Sequence, residues 1–166
     1  LNTMKQTVQM QELEALMRSS QIVAGGFLGN DTRPLSEIIE ADEADVTALG
    51  ATLGGLGAKM AELTAAGKRG LGTAVAVGDG LSVRVEESRG LLICPWPNHG
   101  RFLKTETIVT RLDTGASIHW SDLSAHLIAA HGFFQGRGSA FRVEPRDLIA
   151  MLSLYHPSSE HPTGMS

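Results

Sequence analysis

The chain has 166 residues and a net charge of −4, with 42% hydrophobic and 5% aromatic residues, 19 glycines and a single cysteine. That length suits one domain able to bury about two-thirds of the surface its unfolded chain would expose. One cysteine excludes an internal disulfide and no apolar run approaches ~20 residues, so a reducing cytoplasm, off the membrane, is the expected location.

Charge is distributed unevenly. Residues 1–66 hold four Lys/Arg against nine Asp/Glu, and residues 67–166 hold ten against nine. Neither part offers the basic surface that grips a phosphate backbone, so nucleic-acid binding is not expected.

In chain order, Met10, Leu13, Leu16 and Met17 recur at helical spacing and predict a helix near residues 5–23. The glycines of "GGFLGND" (25–31) break that pattern. A second helix is expected from "RPLSEII", because Pro34 suits a first turn, where its missing N–H would go unpaired anyway. The acidic run "EADEAD" (40–45) reads as the start of a separate helix, since carboxylates near an N-terminus offset the macrodipole. Val46, Leu49, Leu53, Leu56, Met60 and Leu63 then alternate spacings of three and four, the seam of a two-helix packing. Gly50, Gly54, Gly55 and Gly57 lie inside that seam and each costs about 1 kcal/mol against alanine in a helix. Close approach of another helix would offset this, either residues 8–23 of the same chain or a second copy in a dimer.

After Gly67 the period shortens. "TAVAV" (73–77), "LSVRVE" (81–86), "GLLIC" (90–94), "TETIVTRL" (105–112) and "ASIHW" (116–120) predict about five strands in an antiparallel meander, with "GDG", "ESRG" and "DTG" as turns. Ser121 or Asp122 is expected to cap a short helix ending at Gly132. "FFQGRGSAF" reads as a loop, and "VEPRDLIAMLSL" as a last helix with Pro145 near its start. The fold class is therefore α+β, one domain over residues 1–154. Its helical part covers about 5–66, its sheet and metal-site part about 70–154, and residues 155–166 form a polar tail expected to be disordered.

The only cysteine and four of the six histidines fall within residues 94–131. Cys94 and His99 flank the Pro-rich turn "PWPN", and His126 and His131 close the predicted helix. Together they make a C-x4-H followed by H-x4-H set that can supply a tetrahedral zinc site. Positions five apart differ by about 140° on an ideal helix, so the last turn must loosen for both rings to reach one ion, which Gly132 makes easier. His119, one strand end away, is an alternative ligand. Two other readings stand beside the structural zinc. In one, Cys94 is an inert buried thiol and the histidines are surface groups. In the other, three of the residues hold a catalytic metal with an open position, as in a metal-dependent hydrolase, and Glu106, Asp113 or Asp122 serves as base.

"LSAHLIAAH" resembles the helical half of the Cys2His2 zinc finger, L-x2-H-x4-H, with Leu123 as the finger's core leucine. The resemblance covers about nine residues and implies a zinc-holding turn and helix. It does not imply DNA reading, because the helix has Asp122 as its only ionised side chain and lacks the groups that read base edges. The stretch "CPWPNHGRF…HLIAAHGFFQGRG" is also similar to a group of small bacterial cytosolic proteins, a likeness that implies no activity.

Two further stretches each admit two readings. "LDTGAS" (112–117) resembles the aspartic-protease tripeptide, whose chemistry needs a second carboxylate sharing one proton. Asp-Thr-Gly is equally an ordinary hairpin turn with Gly115 at positive φ, and the helices around it favour the turn. In "HGFFQGRGSAFR" (131–142), Arg137 can present a fork to a carboxylate or phosphate of a protein partner, or can simply be solvated while Phe133 and Phe134 plug the core. The expectation is a non-enzymatic, zinc-stabilised protein acting through protein binding or self-association.

Overall fold

The computed structural model describes residues 6–19 and 26–156. Helices α1 (Val8–Arg18), α2 (Leu35–Ala48) and α3 (Leu53–Lys68) come first. A sheet of β1 (Val75–Val77), β2 (Leu81–Ile93), β3 (Arg101–Arg111) and β4 (Ser117–Ser121) follows, then α4 (Asp122–His131) and α5 (Pro145–Leu152). The architecture is α+β, as the change of hydrophobic period implies. The helix expected at 5–23 is described over Val8–Arg18, residues 20–25 lie outside the described residues, and so does the tail expected at 155–166 from residue 157 on, whereas Tyr155 is buried in the core.

Thr7 caps α1 by accepting the Met10 N–H at 3.1 Å. α2 has Pro34 at its cap position and so no capping side chain of its own. Two residues preceding and within α1 supply the caps instead. The Leu35 N–H donates to Glu14 Oε1 at 3.0 Å and the Ser36 N–H to Gln6 Oε1 at 2.8 Å. Carboxylate and amide oxygens at a helix N-terminus satisfy orphan donors and offset the dipole.

The acidic run 40–45 does not open a new helix. It lies inside α2, which continues to Ala48 before Gly50 (φ 78) turns the chain. The seam 46–63 is therefore split between two helices. Val46, Leu56, Met60 and Leu63 are buried in the chain's own core, while Leu49 stays exposed. Close approach does explain a glycine, but the neighbour is α4 rather than residues 8–23. A Cβ at Gly57 would sit 2.6 Å from the Ala129 Cβ.

All strand pairs are antiparallel, in the order β1-β2-β3-β4. The sheet has four strands where five were expected, because residues 81–86 and 90–94 belong to one long strand. "ESRG" is a bulge rather than a turn: the β2–β3 register jumps between Ser88 and Leu91, with Gly90 at φ 108. A bulge bends the strand and increases its twist without ending it. Beyond it, Leu92 and its register partner Phe102 pack inward, while Leu91, Ile93 and Leu103 are exposed.

Two apolar clusters result. One lies between the inner face of the sheet and α3, α4 and α5, and includes Leu63, Val83, Val109, Trp120 and Leu148. Its polar members satisfy each other, with Thr64 and Thr107 hydroxyls 2.7 Å apart and the Trp120 indole N–H donating to Thr64 at 3.1 Å. The other joins Leu13, Met17, Phe27, Leu35 and Ile38 to Cys94, Leu123, Leu127 and Phe133. α4 faces both clusters, which carries its C-terminal end to the tip of the β2–β3 hairpin.

Candidate metal centre

The hairpin tip runs from Cys94 to Gly100. The Cys94 N–H donates to the Gly100 carbonyl at 3.2 Å, and Asn98 (φ 64) and Gly100 (φ 96) supply the left-handed residues that reverse the chain. The two prolines fix φ on either side of Trp96. The indole of Trp96 stacks on the His131 ring, with centroids 3.9 Å apart and planes 5° apart, and meets Phe133 edge-on at 5.7 Å. Phe102, at the start of β3, stacks on His126 at 4.4 Å. Each helix histidine is thus held against an aromatic of the hairpin.

Ser121 caps α4, accepting the Ser124 N–H at 3.0 Å. At the other end Gly132 adopts φ 64, its N–H donating to the Ile128 carbonyl and the Phe133 N–H to that of Leu127. His131 is the last helical residue, where the chain leaves the regular helix. Its ring and that of His126 lie 5.2 Å apart at 84°, despite their separation of about 140° around an ideal helix.

Potential ligand atoms of Cys94, His99, His126 and His131 all lie within 4.8 Å of one another. Cys94 is 4% exposed, His126 and His131 are half-buried, and His99 closes the group from the solvent side. Cys94 Sγ and His131 Nε2 are 3.7 Å apart. Tetrahedral zinc bonded to one sulfur and three nitrogens has ligand–ligand edges of about 3.3–3.6 Å, so that pair already matches one edge. His126 Nε2 is buried with no hydrogen-bond partner among the described residues. A buried polar atom normally has one, and a nitrogen orphaned among a thiol and two imidazoles fits a ligand to a cation.

Electrostatics favours the same use. Burial, then the neighbouring histidines His99 and His126, pushes His131 down to about 4. Burial and His99 lower His126 as well. Both rings are therefore neutral at neutral pH, with a lone pair to give. Burial raises the Cys94 thiol, although the Trp96 backbone N–H opposes it. A bound cation would reverse that by favouring the thiolate. The four residues can hold a metal ion.

The remaining candidates lie elsewhere. His119 Nδ1 pairs with Glu106 Oε2 at 2.5 Å across β3 and β4, so neither the spare ligand nor that base joins the cluster. Asp113 sits in the β3–β4 turn, hydrogen-bonded to Arg111 at 2.8 and 2.9 Å, with Gly115 at φ 78. Asp-Thr-Gly is a turn here. Asp122 opens α4 and is raised by burial, outside the cluster. Phe133 and Phe134 are buried. Arg137 is exposed, and its backbone N–H donates to Asp31 Oδ2 at 3.0 Å. Trp96 and Phe102 escaped the sequence reading, although one stands between the two prolines of the tip and the other just past it. No protein-family model, curated protein or solved structure matches the chain.

Proposed function

We propose that Cys94, His99, His126 and His131 hold one zinc ion in a closed site that fastens the β2–β3 tip to the end of α4, and that the protein acts by binding another protein. The partnerless, buried His126 Nε2 inside a group of four ligand atoms carries this reading. A mixed thiolate and imidazole set of four suits zinc above harder cations. The cluster contains no carboxylate among the described residues, which favours a closed structural centre over a hydrolase with an open position and a base. In this reading the tip and helix act together as the zinc-finger-like half of the chain. The exposed Arg137 fork, on a loop held by Asp31, is the proposed contact for an acidic group on the partner.

Cobalt(II) titration of the metal-free protein tests the site, because tetrahedral cobalt bound to a thiolate has strong visible and charge-transfer bands that octahedral cobalt lacks. The expected result is a saturable spectrum of that kind, abolished in Cys94→Ser. Zinc at a thousandfold excess over Kd should add about 4 kcal/mol of stability, or about 8–16 °C in Tm for a chain of this size. A weak octahedral spectrum with no Tm shift would refute the closed site.

A further inference from the structure

A cavity of about 560 Å³ opens beside the second apolar cluster, and none of the four candidate metal ligands lines it. Its walls include Phe27 from the loop after α1, Leu92 of β2, Leu123 of α4 and Phe141 from the loop before α5. Two buried polar residues, Thr105 (2% exposed) and Gln135 (3% exposed), face this apolar space. The volume is in the range of sites that enclose small organic ligands, which pair apolar walls with a few convergent polar groups.

Each of those side chains has a polar atom with no protein partner among the described residues, and neither atom is shut off from solvent. Gln135 Oε1 accepts from the Ser139 hydroxyl at 2.8 Å, and its amide nitrogen has no partner among the described residues. The Thr105 hydroxyl likewise has none. The other polar lining is differently placed, since Ser121 bonds Ser124 and Glu106 pairs with His119. Gln135 also holds φ 73, a left-handed conformation that costs an L-residue about 1–2 kcal/mol. It is kept there by Arg142, which donates to its carbonyl at 2.7 Å while bound to buried Asp42 at 2.9 and 3.0 Å. A glutamine in a strained backbone conformation, lining a cavity with an amide nitrogen that no protein group engages, is an arrangement suited to a ligand site.

We infer that this cavity binds a small, largely apolar carboxylic acid, with its carboxylate taken by the Gln135 amide N–H and the Thr105 hydroxyl and its apolar body between Phe27, Leu92, Leu123 and Phe141. Free donors select an acceptor on the ligand. A carboxylate offers two acceptor oxygens, one for each donor; Lys104 and Glu106, of opposite charge, both line the cavity, so the paired donors rather than net charge set the preference.

The test is an amide-resolved NMR titration of the full chain with naphthylacetate, beside naphthylethylamine, a matched apolar body with a cationic head. Saturable shifts at Thr105, Leu123 and the Gln135 side-chain NH2 are expected with the acid alone. Loss of one hydrogen bond of about 1 kcal/mol should weaken binding about fivefold in Thr105→Val and in Gln135→Asn. Asparagine tolerates the left-handed backbone at 135. Equal response to acid and amine, or no shift at these residues, would overturn the assignment on the parent chain alone. Undiminished affinity in a folded Thr105→Val variant would overturn it too.

Discussion

His131 holds the most displaced titration among the four clustered residues, and the displacement has a consequence without metal. Its folded value of about 4 lies below the ordinary 6.5, so between those two pH values the unfolded chain binds more protons than the folded one. Stability of the metal-free protein is then full above about pH 6.5 and falls as the pH drops towards 4. Thermal melts of metal-free protein at pH 7 and pH 5 should show the lower Tm at pH 5, with a flatter dependence in His131→Asn. A pH-independent Tm would contradict the neutral, half-buried ring. The four clustered residues were legible in the sequence because Cys and His side chains crowd into residues 94–131. The aromatic seats at Trp96 and Phe102 were not, since stacking depends on how the hairpin tip meets the helix, which spacing does not encode. Gln135 was equally hidden, because positive φ at a non-glycine residue leaves no compositional mark.

At the scale of elements, two glycines of one helix separate packing from propensity. Gly54 in α3 has open space at its Cβ position, whereas a Cβ at Gly57 would meet Ala129 of α4 at 2.6 Å. Gly54→Ala, in the first turn of α3, should therefore stabilise by about 0.4–1 kcal/mol, and Gly57→Ala should destabilise by about 1–3 kcal/mol through overpacking. Denaturant midpoints of the two variants check this. A stabilising Gly57→Ala would mean that α3 and α4 are not in close contact. The apolar and glycine pattern announced a tight helix contact but not its partner, because periodicity reports a buried face and never what covers it. The continuous α2 shows the complementary limit. Acidic residues favour an N-terminus, yet they are tolerated inside a helix whose side chains find partners, as Asp42 does in Arg142. Similarly, "ESRG" has turn composition, but as a bulge it spends its glycine on a kink within β2.

For the whole molecule, two ties hold distant parts of the chain together. The first is the Arg142 guanidinium, 7% exposed, on the Asp42 carboxylate, 5% exposed, which links α2 to the segment leading into α5. Glu144 also accepts from Arg142, at 2.9 and 3.1 Å, so Asp42→Asn leaves the guanidinium one carboxylate and should cost about 1–3 kcal/mol, the loss of charged hydrogen bonds rather than of a sole partner. It should also weaken naphthylacetate binding, because Arg142 positions Gln135. A loss below about 1 kcal/mol in urea unfolding would show that Glu144 alone suffices to hold the guanidinium. The second tie is the proposed zinc site, which joins residues more than 30 positions apart and closes the hairpin onto α4. The fold class was readable from the change in hydrophobic period near Gly67. The long-range ties were not, since Asp42–Arg142 spans 100 residues with no motif at either end.

Metal content of purified, untagged protein, measured by mass spectrometry beside a Cys94→Ser variant, decides whether these four residues hold zinc. A single zinc ion per chain is predicted, lost in the variant together with thermal stability. Metal-free protein with an unchanged melt in Cys94→Ser would contradict the site and leave His126 and His131 as two helix histidines without a shared ion.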